Sequence, residues 1–223
     1  MEVCFIDSPF EIETLPLDKI YVLDNWLAPI IHRKIDGVVT TANWRKTNEV
    51  RGDDPTGLPM HQFWGSTMNR DNDWDNENSH DLIVWSKYLE ERLREGFGFN
   101  WKKLDYMGLN SQTQGLYGTI HNDCPDDEDQ NLSFLYYPNT HWEDHWGGVL
   151  RLYENPKDGI ETIQGFDNRE NGVQIAEVSF KPNRLIMFDG RIPHGADAPN
   201  SNARYMDRRS IVIRGDEVKL CQR

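Results

Sequence analysis

The chain has 223 residues, a formal net charge of −13 and 11% aromatic residues, with eight tryptophans. That aromatic content excludes a disordered chain although 27% of residues are charged. The acidic balance argues against a nucleic-acid partner, whose phosphates it repels unless a local basic patch intervenes. Three widely spaced cysteines, Cys4, Cys124 and Cys221, suit neither a disulfide framework nor a zinc ribbon and predict a reducing, cytoplasmic setting. No apolar run approaches membrane-spanning length, and the acidic, polar start is unlike a signal peptide, so a soluble protein with no membrane partner is expected.

Residues 1–19 read as peripheral. Ile20-Tyr-Val-Leu23 predicts a short strand closed by Asp24-Asn25. Ala28 to Thr40 predicts a helix, with Pro29 in its first turn and Ile30, Ile31, Ile35 and Val38 at roughly helical spacing. Residues 45–60 are polar, broken by Pro and Gly, and predict a loop. A strand is expected over His61 to Thr67, then a second loop over the Asp- and Asn-rich stretch from Asn69 to Asn78. The clearest helix runs from Ser79 to about Arg94. Leu82, Trp85, Leu89 and Leu93 recur at spacings of three and four, Ser79 is the N-cap, and Gly96 and Gly98 supply the stop. This helix is expected to lie against the outside of a sheet.

From Leu104 onward the pattern changes to strands: Leu104 to Asn110, Gln112 to His121, Asn131 to Tyr137, Gly148 to Tyr153, Val173 to Phe180, Arg184 to Phe188 and Arg208 to Arg214. Residues 154–172 form a polar insertion between two of them. Many short strands with Gly, Pro, Asn and Asp turns predict a sandwich or barrel. The fold class is therefore mainly β with flanking α-helices. One domain is expected over 1–223, with helical support over about 1–103 and the β core over about 104–214.

Tyr117-Gly-Thr-Ile-His121-Asn-Asp123 carries the chemistry. In a strand, residues two apart project to the same face, so His121 and Asp123 stand side by side with Asn122 pointing away. One more imidazole completes two histidines and one carboxylate on one face of a metal, the donor set of non-haem Fe(II) oxygenases. His194 is the candidate, because it follows an apolar strand and the turn Asp189-Gly-Arg-Ile-Pro193 at a strand mouth. His61 is also available, and His80, at a helix start, is expected exposed. His141 and His145 are four apart, a spacing that suits zinc on a helix, but Pro138 and Gly147-Gly148 argue against a helix there.

Arg208-Arg209-Ser210-Ile211-Val212-Ile213-Arg214 alternates as a strand. Arg208, Ser210, Val212 and Arg214 share one face, while Arg209, Ile211 and Ile213 share the other. Two guanidiniums and a hydroxyl on one face can hold a dicarboxylate, since the guanidinium fork matches a carboxylate.

In this combination, from about Leu109 to Arg214 with a weaker echo in Ile20 to Leu27, the sequence resembles the Fe(II)/2-oxoglutarate-dependent oxygenases, and within them the prolyl 4-hydroxylase-like branch. The matching pieces come in order. Tyr117 precedes His121-Asn-Asp123, and Asp123-Cys-Pro125 opens an acidic loop. Leu132-Ser-Phe-Leu-Tyr136-Tyr137-Pro-Asn139 follows, then Trp142 and Trp146-Gly147-Gly148-Val-Leu150-Arg-Leu. Phe180-Lys-Pro-Asn-Arg184-Leu-Ile-Met-Phe188, Pro193-His194 and the arginine strand complete the set.

The resemblance implies a double-stranded β-helix, a cupin-like jelly-roll of two facing sheets. It implies Fe(II) held by His121, Asp123 and His194, with 2-oxoglutarate as co-substrate, O2, and ascorbate as reductant. Arg208 is expected to pair with the distal carboxylate of 2-oxoglutarate, helped by the Tyr137 hydroxyl. Leu150 is expected to line that pocket, and Ser210 or Arg214 to assist. The interval from His194 to the arginine strand is longer than in the oxygen-sensing prolyl hydroxylases, which leaves Arg204 as a rival anchor.

The implied reaction is oxidative decarboxylation of 2-oxoglutarate to succinate and CO2, coupled to hydroxylation of a prolyl residue or other amino-acid side chain in a peptide or small molecule. Two alternatives stand beside it: oxidative demethylation of nucleic acid, as in related repair dioxygenases, and a jelly-roll binding module without catalysis.

Overall fold

The computed structural model describes residues 1–45, 63–70, 73–74, 78–116, 118, 120–123, 131–154 and 173–221. The loop expected over 45–60 falls almost wholly outside these residues, as do the polar insertion after Glu154, and His61, Tyr117, Cys124 and Pro125.

Thirteen named strands and two α-helices follow one another as β1 (Glu2–Ile6), β2 (Lys19–Leu23), α1 (Pro29–Thr40), β3 (Trp64–Arg70), β4 (Asp73–Trp74), α2 (His80–Phe97), β5 (Phe99–Asn100), β6 (Lys103–Gln112), β7 (Leu132–Tyr136), β8 (Leu150–Tyr153), β9 (Gln174–Val178), β10 (Leu185–Asp189), β11 (His194–Ala196), β12 (Arg208–Asp216) and β13 (Lys219–Leu220). The major sheet has the order β1-β2-β10-β7-β12-β6-β3-β4, and a smaller sheet has the order β11-β8-β9. No helix among the described residues is long and apolar enough to cross a membrane.

Helix α2 forms for the reasons its sequence suggests. The Ser79 hydroxyl accepts from the Leu82 amide, and Gly98 ends the helix at φ 71°. That left-handed conformation disfavours any residue with a Cβ. Gly96 stays inside the helix. The buried face runs Leu82, Ser86, Leu89, Leu93 and Phe97, with Ser86 in the place expected of Trp85. Ser86 is tolerated there because its hydroxyl donates to the Leu82 carbonyl at 2.7 Å.

Two hydrophobic cores result. The outer one lies between the major sheet and the two helices, and includes Ile35, Leu89, Phe97, Phe134, Tyr136 and Ile213. The inner one lies between the sheets, and includes Ile20, Leu135, Tyr137, Leu150, Ile186 and Phe188. Each such side chain, fully buried, contributes about 1.5–3 kcal/mol. Strand alternation divides the two: Ile211 and Ile213 belong to the outer core, Val212 to the inner.

Three sequence expectations are corrected here. Of the two strands expected over 104–110 and 112–121, the first is β6, ten residues that run on to Gln112, and the described residues after it, up to His121, belong to no strand. After it the chain turns at Gly115, φ 82°, and His121 makes only an isolated bridge with His194. His121 and Asp123 therefore meet by way of that bridge, not as members of a strand. The stretch Asn69 to Asn78 is not simply a loop, because β3 runs on to Arg70 and returns as β4. Cross-strand pairing outweighs the turn preference of Asn and Asp there. Lastly, residues 1–19 are less peripheral than expected, since β1 pairs in parallel with β2 at the edge of the major sheet.

Candidate metal centre and the face beside it

His121 and His194 exchange both backbone hydrogen bonds, His121 N–H to His194 O at 3.0 Å and His194 N–H to His121 O at 2.8 Å. This closed pair brings the two rings to 4.6 Å between centroids. The Asp123 amide is fixed in turn by the Gly190 carbonyl at 2.8 Å. One imidazole nitrogen from each histidine and a carboxylate oxygen of Asp123 all lie within 4.8 Å of one another. His121 Nε2 is 3.7 Å from Asp123 Oδ1, and His194 Nε2 is 3.6 Å from Asp123 Oδ2.

The surroundings prepare these atoms for a cation. His194 Nδ1 lies 2.9 Å from the Ile192 carbonyl, which can only accept. Nδ1 therefore carries the proton, and the Nε2 lone pair points at the other donors. The Ser133 hydroxyl donates to Asp123 Oδ2 at 2.5 Å, and Arg214 Nη1 lies 3.4 Å from Oδ1. A ring edge of Phe188 packs against His194 at 4.8 Å. Two imidazoles and a carboxylate on one side of a point fit Fe(II) and leave coordination positions open. Among the described residues, the other histidines considered do not compete. His80 is exposed, and His141 is exposed beside Glu143. Among the described residues no other group of three metal-ligating side chains forms.

On the same face of β12, six residues before Arg214, sits Arg208, 2% exposed. Its Nε donates to the Gly148 carbonyl at 2.9 Å, Nη1 to Gln112 Oε1 at 3.0 Å and Nη2 to the Tyr137 hydroxyl at 3.1 Å. The guanidinium packs over the Tyr137 and Phe180 rings at 4.9 and 5.2 Å. A guanidinium has five N–H bonds. Three are spent on these contacts, so about two remain to donate, a match for the two oxygens of a carboxylate. A Cβ at Gly148 would lie 3.1 Å from the Arg208 side chain, so this close approach requires glycine. Leu150 and Ser210 are buried nearby in the fold, Leu150 in the inner core and Ser210 between Arg208 and Arg214 on β12. Arg204, the rival, is exposed in a turn with φ 53°.

Residues 107–213 match the family model described as the 2OG-Fe(II) oxygenase superfamily. The matched segment belongs to that superfamily. Membership of the matched segment implies Fe(II), 2-oxoglutarate and O2 for this chain. Its fold is similar to that of a prolyl hydroxylase from Trichoplax adhaerens in complex with a hypoxia inducible factor oxygen degradation domain peptide fragment, with TM-score 0.57, 17% identity, and 94% of this chain and 87% of that one covered. It is also similar to a Pseudomonas putida prolyl-4-hydroxylase, with TM-score 0.55, 15% identity and coverage of 94% and 96%. A Burkholderia pseudomallei oxidoreductase of the 2OG-Fe(II) oxygenase family matches with TM-score 0.55, 12% identity and coverage of 88% and 84%. These likenesses establish the double-stranded β-helix. Among curated proteins none matches the chain.

Two residues of the candidate site escaped the sequence reading. Ser133 and Gln112 are polar residues at positions of β7 and β6 directly opposite Arg214 and Arg208 of β12. The available signal was a lone serine in the apolar run Leu132 to Tyr136. Its partner is chosen by register, which the sequence does not display.

Burial alone drives the Asp123 carboxyl up, but the neighbouring His194, Arg214 and His121 charges and the Ser133 hydroxyl outweigh it and hold the group down at about 2. Burial pulls His194 down to about 4, against the attraction of Asp123. At neutral pH His194 is thus uncharged. Both shifts act in one direction. As pH falls from 6.5 toward 4, the unfolded chain takes up a proton at this histidine that the folded chain refuses; from 3.8 toward 2 the same holds at the aspartate. The metal-free oxygenase is expected to lose thermal stability as the pH is lowered from 7 to 4.5. In melting curves, His194→Gln should show a shallower fall than wild type over that interval; identical slopes would contradict the assignment.

Proposed function

We propose that this oxygenase hydroxylates a prolyl residue or another amino-acid side chain, converting 2-oxoglutarate and O2 to succinate and CO2. The observation that carries the proposal is one face of β12. It presents Arg208, with about two N–H bonds left to donate, at one end, and at the other end Arg214, in contact with the carboxylate of a His-Asp-His cluster.

In this reading His121, Asp123 and His194 hold Fe(II), which supplies the O2 activation needed for oxidative decarboxylation. Arg208 and the Tyr137 hydroxyl grip the distal carboxylate of 2-oxoglutarate, and Leu150 gives its carbon chain an apolar wall. Ser210 donates from the floor between the two ends. Arg214 keeps Asp123 ionised, and the Ile192 carbonyl keeps His194 in the tautomer that ligates. Burial of the pocket excludes water and strengthens each of these contacts. Cys4 and Cys221 are free thiols, in keeping with a cytoplasmic setting, and ascorbate is expected to sustain turnover as reductant.

The test is succinate formation by the purified protein with Fe(II) and 2-oxoglutarate, against proline peptides, free amino acids and methylated oligonucleotides. Slow succinate release without substrate, stimulated by a proline peptide or amino acid, is the expected result. Stimulation by oligonucleotides alone would select nucleic-acid demethylation, and failure to bind both iron and 2-oxoglutarate would leave a binding module.

A further inference from the structure

Strand β3 carries one residue too many for its partner. Thr67 lies opposite Gly108 and Asn69 opposite Met107, so Met68 is an extra residue between them. Such a bulge re-aims every side chain that follows, because alternation shifts by one. Its consequence is that Arg70 falls opposite Tyr106. Were Met68 paired with Met107 instead, Arg70 would fall one residue further along β6, opposite Asp105.

Tyr106 belongs to the face that bears the metal cluster, opposite Arg214 of β12. Its ring lies flat across Gly108, where a Cβ would collide with it. Two guanidiniums flank this ring, Arg214 at 4.6 Å and Arg70 at 5.2 Å from the centroid. They are not equivalent. Arg214 is engaged by Asp105 at 3.2 Å and by Asp123. Arg70 is exposed, and although Asp73 of β4 is its register partner, no ion pair forms between Arg70 and a carboxylate among the described residues. In a chain with 37 acidic and 24 basic residues, a guanidinium beside the metal face that forms no ion pair among the described residues is positioned for an anion from elsewhere. Contact with the Tyr106 ring orients the guanidinium and leaves N–H edges outward.

We propose that Arg70 is the specificity-determining residue that grips a carboxylate on the substrate, close to the carbon that is hydroxylated. The proposal rests on the oxygenase reading above. The net charge of −13 favours a small or peptidic carboxylate over a polyanionic strand. The carboxylate has two possible sources, an acidic side chain in a peptide or the α-carboxylate of a free amino acid.

Succinate formation is measured with N-acetylated, C-amidated proline peptides carrying Asp at positions flanking the proline, and with matched Asn peptides. Free proline and prolinamide form the second pair. Equilibrium binding of the same compounds to the metal-free protein is measured by calorimetry. In at least one pair, the carboxylate-bearing member is expected to bind and react better by about tenfold or more. Arg70→Ala should erase that preference and Arg70→Glu should reverse it toward Lys-flanked peptides. The responding pair identifies the source of the carboxylate. Equal handling of both members of each pair by wild type, or an Arg70→Ala protein that keeps the preference, overturns the proposal and leaves the oxygenase reading intact. Absence of succinate under all conditions overturns both, and stimulation by oligonucleotides alone overturns this one.

Discussion

Asp123→Ala is expected to abolish 2-oxoglutarate turnover, by about a thousandfold or more, since the lost ion supplies several kcal/mol of transition-state stabilisation. The variant removes the carboxylate donor of the cluster and leaves two imidazoles, a far weaker site for a divalent cation. It also strips Ser133 and Arg214 of the oxygens they now engage. Two controls separate metal loss from misfolding. Asp123→Asn keeps the side-chain volume but not the charge, and should lose Fe(II) binding almost as fully while melting cooperatively. Ser133→Ala keeps all three ligands and removes only the 2.5 Å hydrogen bond that orients the carboxylate. A loss of about 10- to 100-fold in metal affinity is expected from it. Binding is followed by calorimetry with Mn(II) as the redox-silent probe, and turnover by succinate. Full metal affinity in Asp123→Ala would remove the basis of the site.

Arg208→Ala is the second large effect, and it falls on the co-substrate instead of the metal. The KM for 2-oxoglutarate should rise by about 30- to 5,000-fold, because truncating one member of a buried, hydrogen-bonded charge pair costs about 2–5 kcal/mol. Arg208→Lys should recover little of it. A lysine retains the charge but cannot serve the Gly148 carbonyl, Gln112 and Tyr137 while still offering two parallel N–H bonds. Metal affinity should be unchanged in both, since Arg208 touches none of the three ligands. The rival, Arg204→Ala, should leave KM unaltered because that side chain is exposed. The reverse pattern, with Arg204 governing KM, would move the anchor.

Much of the site was legible in the chain because each part is local. His121 and Asp123 are two apart, and Arg208 to Arg214 reads as an alternating strand from its apolar residues alone. Its outer residues do what alternation implies: Arg209 turns to α1 and meets Asp36 at 3.0 Å, while Ile211 and Ile213 enter the outer core. The illegible parts are those fixed across strands. Gln112 was read as the start of a strand, whereas it ends β6 and is bonded to Arg208. The bulge at Met68 has no local signature, since Thr67, Met68 and Asn69 carry no glycine or turn motif.

The amino-acid order alone specified the β-rich class, the amphipathic helix with its serine cap and glycine stop, the candidate ligand residue types and the arginine strand, because propensity, periodicity and capping act over a few neighbouring residues. Only tertiary structure decided that His194 closes onto His121 through a pair of backbone hydrogen bonds, that Ser133 orients Asp123, and that Arg70 faces Tyr106. Those contacts depend on which strands pair and in what register, and register is settled by burying one face of every strand at once.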